Sequence, residues 1–412
     1  MRGWRDTTLG ELIRITHGFA FKGEFFSDAG PAILLTPGNF KADGGLKLKG
    51  EREKYYVGPV PSEYVLSPGD LLVAMTDLTQ NAPILGSAAF IPEGACFLHN
   101  QRLGKVWVDS RKAAARFVYY LLNSSPVRAQ IRATATGATV KHTAPARIGA
   151  VRVRIPASLE EQERIAAVLA AYDDLINNAE QRIRVLDQMV RALYREWFVL
   201  SRVPSLSCVS TNERNPSRWR RGRLDDLAVE SRRGVPKGRL LEGPARYVGL
   251  EHIPRRSYAL DDWEEVADLG SSKLRFLAGE VLFGKIRPYF HKVCVAPFDG
   301  VCSADTIVVA ARSPEARALM TCILGSDELV QHASATANGA KMPRASWKVM
   351  AEFPVLVPPS SVVTAFSIRV EPMLAEQQQL VSLTMVLRRS RDLLLPRLLS
   401  GKLSVKAAER AA

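Results

Sequence analysis

Cysteine is scarce in this chain of 412 residues. The five thiols (Cys96, Cys208, Cys294, Cys302, Cys322) are odd in number and none shows C-x2-C spacing. That excludes a disulfide framework and a small zinc module, and leaves the role of small buried hydrophobes. Long apolar runs are missing too, since no stretch approaches the 18 or so residues of a membrane helix. The opening Met1-Arg2-Gly3-Trp4-Arg5-Asp6 lacks the apolar core of a signal peptide. A cytoplasmic protein without membrane contact is expected. Signatures of chemistry are absent as well: no G-x4-G-K-[ST] phosphate loop, no G-x-G-x-x-G, no G-x-S-x-G elbow and no H-E-x-x-H. The six histidines (His17, His99, His142, His252, His291, His332) are scattered without ligand spacing. The carboxylates of Asp261, Asp262, Glu264 and Glu265 read as a solvated acidic loop. No catalytic residue, metal or cofactor is therefore assigned, and the chain reads as a binder rather than an enzyme.

Positive charge is abundant. A formal net charge of +14 exceeds what solubility requires and suits a polyanionic partner, although a solvated basic surface would look the same. The cations crowd one region: Arg214, Arg218, Arg220, Arg221 and Arg223, followed at once by Arg232, Arg233, Lys237 and Arg239.

The chain is also written twice. Trp4, Leu9 and Leu12 return as Trp219, Leu224 and Leu227, an offset of 215 (219 − 4). Gly69-Asp70-Leu71-Leu72 returns as Gly279-Glu280-Val281-Leu282, and Gly137 ahead of Val153-Arg154-Ile155-Pro156 returns as Gly339 ahead of Val355-Leu356-Val357-Pro358. The offset drifts to 202 (358 − 156), so the first copy carries extra residues. Such a period is far too long for a solenoid and implies two domains. Short apolar runs between Gly/Pro turns predict strands at Ala32–Leu35, Asp70–Met75 and Val151–Ile155. In the second copy they fall at Tyr247–Gly249, Val281–Phe283 and Thr306–Val309, and a helical piece is predicted at Ala113–Asn123.

Each copy ends in a long helix. Ser158-Leu159-Glu160-Glu161 has capping-box form. Apolar residues then fall at Ile165, Leu169, Tyr172, Ile176, Ala179, Ile183, Leu186, Val190, Leu193 and Trp197, in alternating steps of four and three. This is a heptad seam, about 50 Å long at 1.5 Å per residue. The second helix carries an apolar row of Phe366, Met373, Leu380, Leu387 and Leu394. A mixed row follows Val370, Gln377, Thr384, Arg391 and Leu398. Pro372 is expected to kink its first turns and Pro396 to end or bend it. An intramolecular antiparallel pair follows from the two seams.

These residues resemble the specificity subunit of type I restriction–modification enzymes over essentially the whole chain. The paired W-x4-L-x2-L openings carry the resemblance, with Tyr247-Val248-Gly249-Leu250-Glu251-His252-Ile253, Val281-Leu282-Phe283-Gly284-Lys285-Ile286-Arg287-Pro288-Tyr289, the two Gly-to-Pro endings and the two helices. The first copy matches loosely, having Met75-Thr76-Asp77-Leu78-Thr79 where the second has Lys285-Ile286-Arg287-Pro288-Tyr289. The resemblance implies an α+β fold: two homologous α/β target recognition domains, separated by two long helices in an antiparallel coiled coil, with an internal pseudo-twofold repeat. The first recognition domain would span 1–157, the central helix 158–200 and a linker 201–217. The second domain would span 218–359, the C-terminal helix 360–400 and a flexible tail 401–412. Each domain would bind one half of a bipartite double-stranded DNA site. The helices would bind two methyltransferase (modification) subunits, and motor/nuclease (restriction) subunits would join a restricting complex. The methylated base is usually adenine in this family. A methylation-only or other phage-defence complex, or a basic coiled-coil scaffold that reads no sequence, remains an alternative.

DNA reading needs one set of groups for phosphates and another for base edges. In the first copy the candidates are Thr76, Asp77, Thr79, Gln80 and Asn81, then Gly137, Thr139, Lys141 and His142, with Asn100, Gln101 and Arg102 as a further loop. Gln80 and Asn81 suit adenine, and Asp77 could accept from cytosine N4. In the second copy they are Lys285, Arg287, Tyr289, His291 and Lys292, with the turn of Asn338, Gly339 and Lys341. A helix pair of about 50 Å accommodates half-sites one DNA turn apart, about 34–36 Å.

Overall fold

The computed structural model describes residues 3–237, 245–339 and 341–405. It is an α+β chain forming two compact units, Met1–Asp174 with Arg388–Ala412, and Leu175–Leu387. Each long helix contributes to both.

The first unit has three main sheets. Trp4–Thr8 pairs antiparallel with Arg152–Pro156, joining the start of the copy to its end. A four-stranded antiparallel sheet runs Ile13–His17, Leu103–Val108, Leu71–Ala74, Ala88–Phe90. A five-stranded sheet runs Phe26–Ser27, Tyr55–Tyr56, Ala32–Leu34, Cys96–Leu98, Val65–Leu66, with one parallel pair between Ala32–Leu34 and Cys96–Leu98. The second unit repeats the plan. Arg220–Arg223 pairs with Pro354–Val357, and the four-stranded order is Ala228–Glu230, Thr306–Ala311, Val281–Gly284, Val293–Val295. Its five-stranded sheet again contains one parallel pair, Ala245–Val248 with Gly300–Ser303.

The strand after the repeated Gly-Asp/Glu turn is buried on both faces in each unit, which explains its unbroken apolar run. Side chains alternate between two cores, as a pleat requires. Leu71 and Val73 join one cluster with the helices Ala115–Asn123 and Ser125–Ala133, while Leu72 and Ala74 join a second. In the second unit Val281 and Phe283 face the helix-side core and Leu282 the other.

The central helix spans Leu159–Tyr194, followed by a π-helical turn at Arg195–Val199. Its start is capped as the S-x-x-E pattern requires, Glu161 N donating to Ser158 Oγ at 3.4 Å. In the first unit Ile165 and Leu169 pack in the same core as Leu398, with Leu394 against it. Asp173 accepts from Tyr120 Oη at 2.6 Å and from Arg391 Nη1 at 2.7 Å. In the second unit Val190 and Trp197 share a core with Phe366 and Val370, against which Leu193 and Met373 pack. The Trp197 and Phe366 rings lie 5.6 Å apart, Gln377 Nε2 donates to the Ile183 carbonyl at 3.3 Å, and Arg182 pairs with Glu376. Within that unit residue numbers rise on one helix as they fall on the other, so the helices are antiparallel. Ile176 and Leu380 are buried, and Tyr172, Ile183, Leu186 and Leu387 half-buried.

Several expectations need correction. The C-terminal helix is continuous from Ser360 to Leu399 through both Pro372 and Pro396. Pro396 therefore does not itself end the helix, which closes three residues later at Leu399. The tail is not loose from 401, because Val405 is buried in the first unit's core with Leu403 against it; residues 406–412 lie outside the described residues. The stretch between helix and second copy is packed as well. Val209 is buried, Trp219 Nε1 donates to the Glu213 carbonyl at 2.8 Å, and the Ser361 hydroxyl donates to the Glu213 carboxylate at 2.7 Å. Only Cys294, Cys302 and Cys322 are buried, whereas Cys96 and Cys208 are exposed.

Gln377 is fully buried, and its Oε1 has no hydrogen-bond partner among the described residues. Replacing it with leucine removes that orphaned acceptor and should stabilise the helix pair by about 1 kcal/mol. A thermal melt of the full chain tests this; a lowered midpoint would mean that the amide is satisfied and needed.

Candidate nucleic-acid interface

The fold draws the separate loop segments of each copy together. In the first unit Thr76–Asp77 pairs antiparallel with Lys141–His142, aligning Thr76 with His142 and Asp77 with Lys141. Thr136 bridges His142 from the other side, closing a tight turn. Gly137 holds φ +99° there, and a Cβ would lie 1.9 Å from the Val140 carbonyl oxygen, so only glycine fits. Met75 N donates to Arg102 O at 3.0 Å, which sets the Asn100–Arg102 loop beside the others. Thr79, Gln80, Asn81, Gln101, Arg102, Thr139 and His142 are exposed, while Asn100 and Lys141 are half-buried.

The second unit builds the same convergence. Ile286 pairs with Arg344, Asn338 bridges Arg344, and Gly339 holds φ +102°. Lys285 N donates to Asp305 O at 2.9 Å, as Met75 N does to Arg102 O, and Ala345 N donates to Lys285 O at 2.9 Å. Pro288–Phe290 forms a 3-10 turn flanked by two left-handed residues, Arg287 at φ 50° and His291 at φ 53°. That turn displays Tyr289, which is 55% exposed. Asn338, Gly339 and Lys341 are exposed, and Lys285 and Arg287 half-buried.

Burial removes three sequence candidates from the surface set, and an internal hydrogen bond ties down a fourth, the half-buried Lys292. Asp77 is 1% exposed and spends its carboxylate on its own loop, accepting from Thr79 N, Thr79 Oγ1 and Ile84 N at 2.9, 2.8 and 2.7 Å. Its acceptor sites shape the turn and do not face a base. Thr76 is buried, its hydroxyl 3.1 Å from His142 Nδ1. His291 is buried with Nε2 2.9 Å from Gly325 O, and burial pushes its pKa down. Lys292 sends its ammonium to the Leu250 carbonyl, and burial lowers its pKa as well.

Two surface cations were missed by sequence reasoning. Arg344 occupies the place of His142 at the crossing of the three segments, and the offset of 202 would have found it (344 − 142). Its ion pair with Asp305 is 3.5 Å long and exposed, a weak tie. Arg255 lies 4.2 Å over the Phe290 ring and bridges Lys292 through its backbone. Within the anticipated basic cluster Arg233 makes a bidentate pair with the buried Glu280, while Arg220 and Arg232 make exposed pairs with Asp226 and Glu230. Arg239 lies outside the described residues. Among the described residues no group of acidic, histidine or cysteine side chains could hold a metal ion, and no helix is long and apolar enough to cross a membrane.

The repeated sheets, the matched loop surfaces and the long helix closing each copy define a duplicated α+β protein. Residues 1–188 match the family model of the type I restriction modification DNA specificity domain. The chain is 23% identical over 305 residues to the MjaIX specificity subunit of Methanocaldococcus jannaschii, covering 71% of this chain and 70% of that protein. It is 25% identical over 269 residues to the EcoDI specificity subunit of Escherichia coli, 59% of each. The crystal structure of the type I restriction–modification S subunit from M. genitalium superposes with a TM-score of 0.63 over 96% of both chains, at 15% identity, a likeness of fold. Residues 1–188 thus match a type I restriction modification DNA specificity domain, and the chain is similar to type I restriction enzyme specificity subunits.

Proposed function

We propose that each copy reads one half of a bipartite double-stranded DNA target and that the helix pair both spaces the halves and docks two methyltransferase subunits. The chain supplies recognition; the methyltransferase supplies the chemistry, with adenine as the base modified. Motor/nuclease subunits join where the complex restricts. One observation carries the reading: both units assemble the same three-segment surface around a left-handed glycine, yet line it with different side chains. Gln80, Asn81, Arg102, Lys141 and His142 line one, and Lys285, Arg287, Tyr289, Lys341 and Arg344 the other. A common scaffold with divergent tips is what two different half-sites require. The helices support docking. In the second unit Leu175, Val185 and Met189 on one helix and Ile368, Leu383 and Val386 on the other are exposed apolar side chains that a partner would cover.

The test is co-expression with the methyltransferase of the same locus in a methylation-free host, followed by sequencing of modified bases. One split motif with adenine methylated in both halves is the expected result. A methyltransferase that co-purifies yet leaves no modified base would favour the scaffold alternative.

A further inference from the structure

The loop carrying Tyr289 is wired to the central helix by buried hydrogen bonds. Asp187, on that helix, is 7% exposed; its Oδ1 accepts from Tyr258 N at 3.0 Å and its Oδ2 from Arg191 Nε at 2.7 Å. Arg191 lies 4.5 Å over the Tyr258 ring and donates Nη1 to the Gly325 carbonyl at 2.7 Å. His291 Nε2 lies 2.9 Å from that same oxygen. A carbonyl only accepts, so the proton of His291 sits on Nε2. Gly325 caps the helix Arg317–Leu324, whose C-terminal end carries partial negative charge and favours a guanidinium. A Cβ at Gly325 would lie 2.5 Å from Tyr258 Cε1, so the carbonyl reaches this position only because the residue is glycine. His291 in turn closes the Pro288–Phe290 turn, with His291 N donating to Pro288 O at 2.8 Å and Phe290 N to Arg287 O at 2.9 Å. From outside, Arg256 N donates to His291 O at 2.9 Å, and the Arg256 guanidinium pairs with Asp327 at 2.9 Å.

We propose that Asp187 and Arg191 are positioning residues for DNA reading by the second copy, holding the Tyr289 turn to the central helix through the Gly325 carbonyl and His291. The inference rests on the reading of Lys285–Tyr289 as a base-contacting segment. Neither residue of the helix touches DNA in this scheme. They fix the turn so that its contacts are made without an ordering cost at binding. The first unit braces its corresponding loop otherwise: Arg128, from the helix Ser125–Ala133, donates to the carbonyls of Leu85, Pro83 and Ala42. The helix dependence is thus a property of one half-site.

The test uses the full chain with its methyltransferase, and the half-site read by the second copy is identified as the one whose discrimination is lost in Lys285→Ala/Tyr289→Ala. Arg191→Lys keeps a charge beside Asp187 but cannot span Asp187 and Gly325 O together. His291→Phe deletes the donor, and His291→Gln keeps an amide donor. Expected are a 3- to 30-fold loss of discrimination at that half-site in Arg191→Lys and His291→Phe, wild-type discrimination at the other half-site, and a smaller loss in His291→Gln. Faster amide exchange at Phe290 and His291 in the first two variants is the readout that general destabilisation would not localise. Folded variants with wild-type exchange and discrimination overturn the proposal, as does an equal loss at both half-sites. If the wild-type complex marks no split motif, the reading of the site fails, and the exchange measurement still decides whether the helix holds the turn.

Discussion

Ile176→Asp is expected to lower the melting midpoint of the unit Leu175–Leu387 by about 10 °C or more and to abolish assembly with the methyltransferase. Ile176 is 4% exposed on the seam face of the central helix. Truncating a buried isoleucine costs about 2–5 kcal/mol. An unpaired carboxylate in its place adds a desolvation penalty, putting the total near or above 4 kcal/mol. For a unit of this size each kcal/mol moves the midpoint by about 2–4 °C. Ile183→Asp should follow at reduced size, since that residue is only half-buried. The instructive control is the adjacent Leu175, 56% exposed, with Val386 at 62%. Aspartate at either should leave the melt within about 0.5 kcal/mol while weakening assembly if the outer apolar face receives the partner. Unchanged melting and assembly in Ile176→Asp would contradict the antiparallel seam; unchanged assembly in Leu175→Asp and Val386→Asp would move the docking surface elsewhere.

Local signals and periodicity carry much of this fold in the sequence itself. The four–three steps from Ile165 to Trp197 marked the seam because a helix that buries one narrow stripe must repeat every seven residues. The Gly-Asp/Glu-Leu/Val-Leu repeat marked the strand buried on both faces, since no polar residue can interrupt it. What stayed hidden depends on contacts between distant segments. Asp77 reads as a cytosine acceptor until Ile84 N and Thr79 are seen to take its oxygens. His291 reads as a DNA-contacting residue until Gly325 is placed beside it, 34 residues later. Arg344 stands three residues beyond the Asn338–Lys341 turn, and its pairing with Ile286 and Asn338 gives it a place in the site that only the repeat offset signals in the sequence.

The other large effect is a separation of the two half-sites. Lys141→Ala/His142→Ala should relax reading of one half, and Lys285→Ala/Tyr289→Ala the other, each without altering its counterpart. Each lost base contact is worth about 1–3 kcal/mol, roughly 5- to 150-fold in discrimination. The pairs act on exposed or half-buried side chains; strand pairing holds the backbone of Lys141 and His142, backbone hydrogen bonds that of Lys285, and a 3-10 turn carries Tyr289, so folding should be retained. Arg344→Ala, at the position homologous to His142, should behave as a member of the second set. If its guanidinium grips phosphate rather than a base, affinity should drop for all sequences alike, with the salt slope reduced by about 0.9. Asp77→Ala is the contrasting case: it deprives three loop donors of their acceptor and should loosen the whole first surface, costing affinity and selectivity together. Methylation of libraries randomised in one half-site at a time distinguishes these outcomes. Equal relaxation of both halves by either surface pair would show that the units do not read independently.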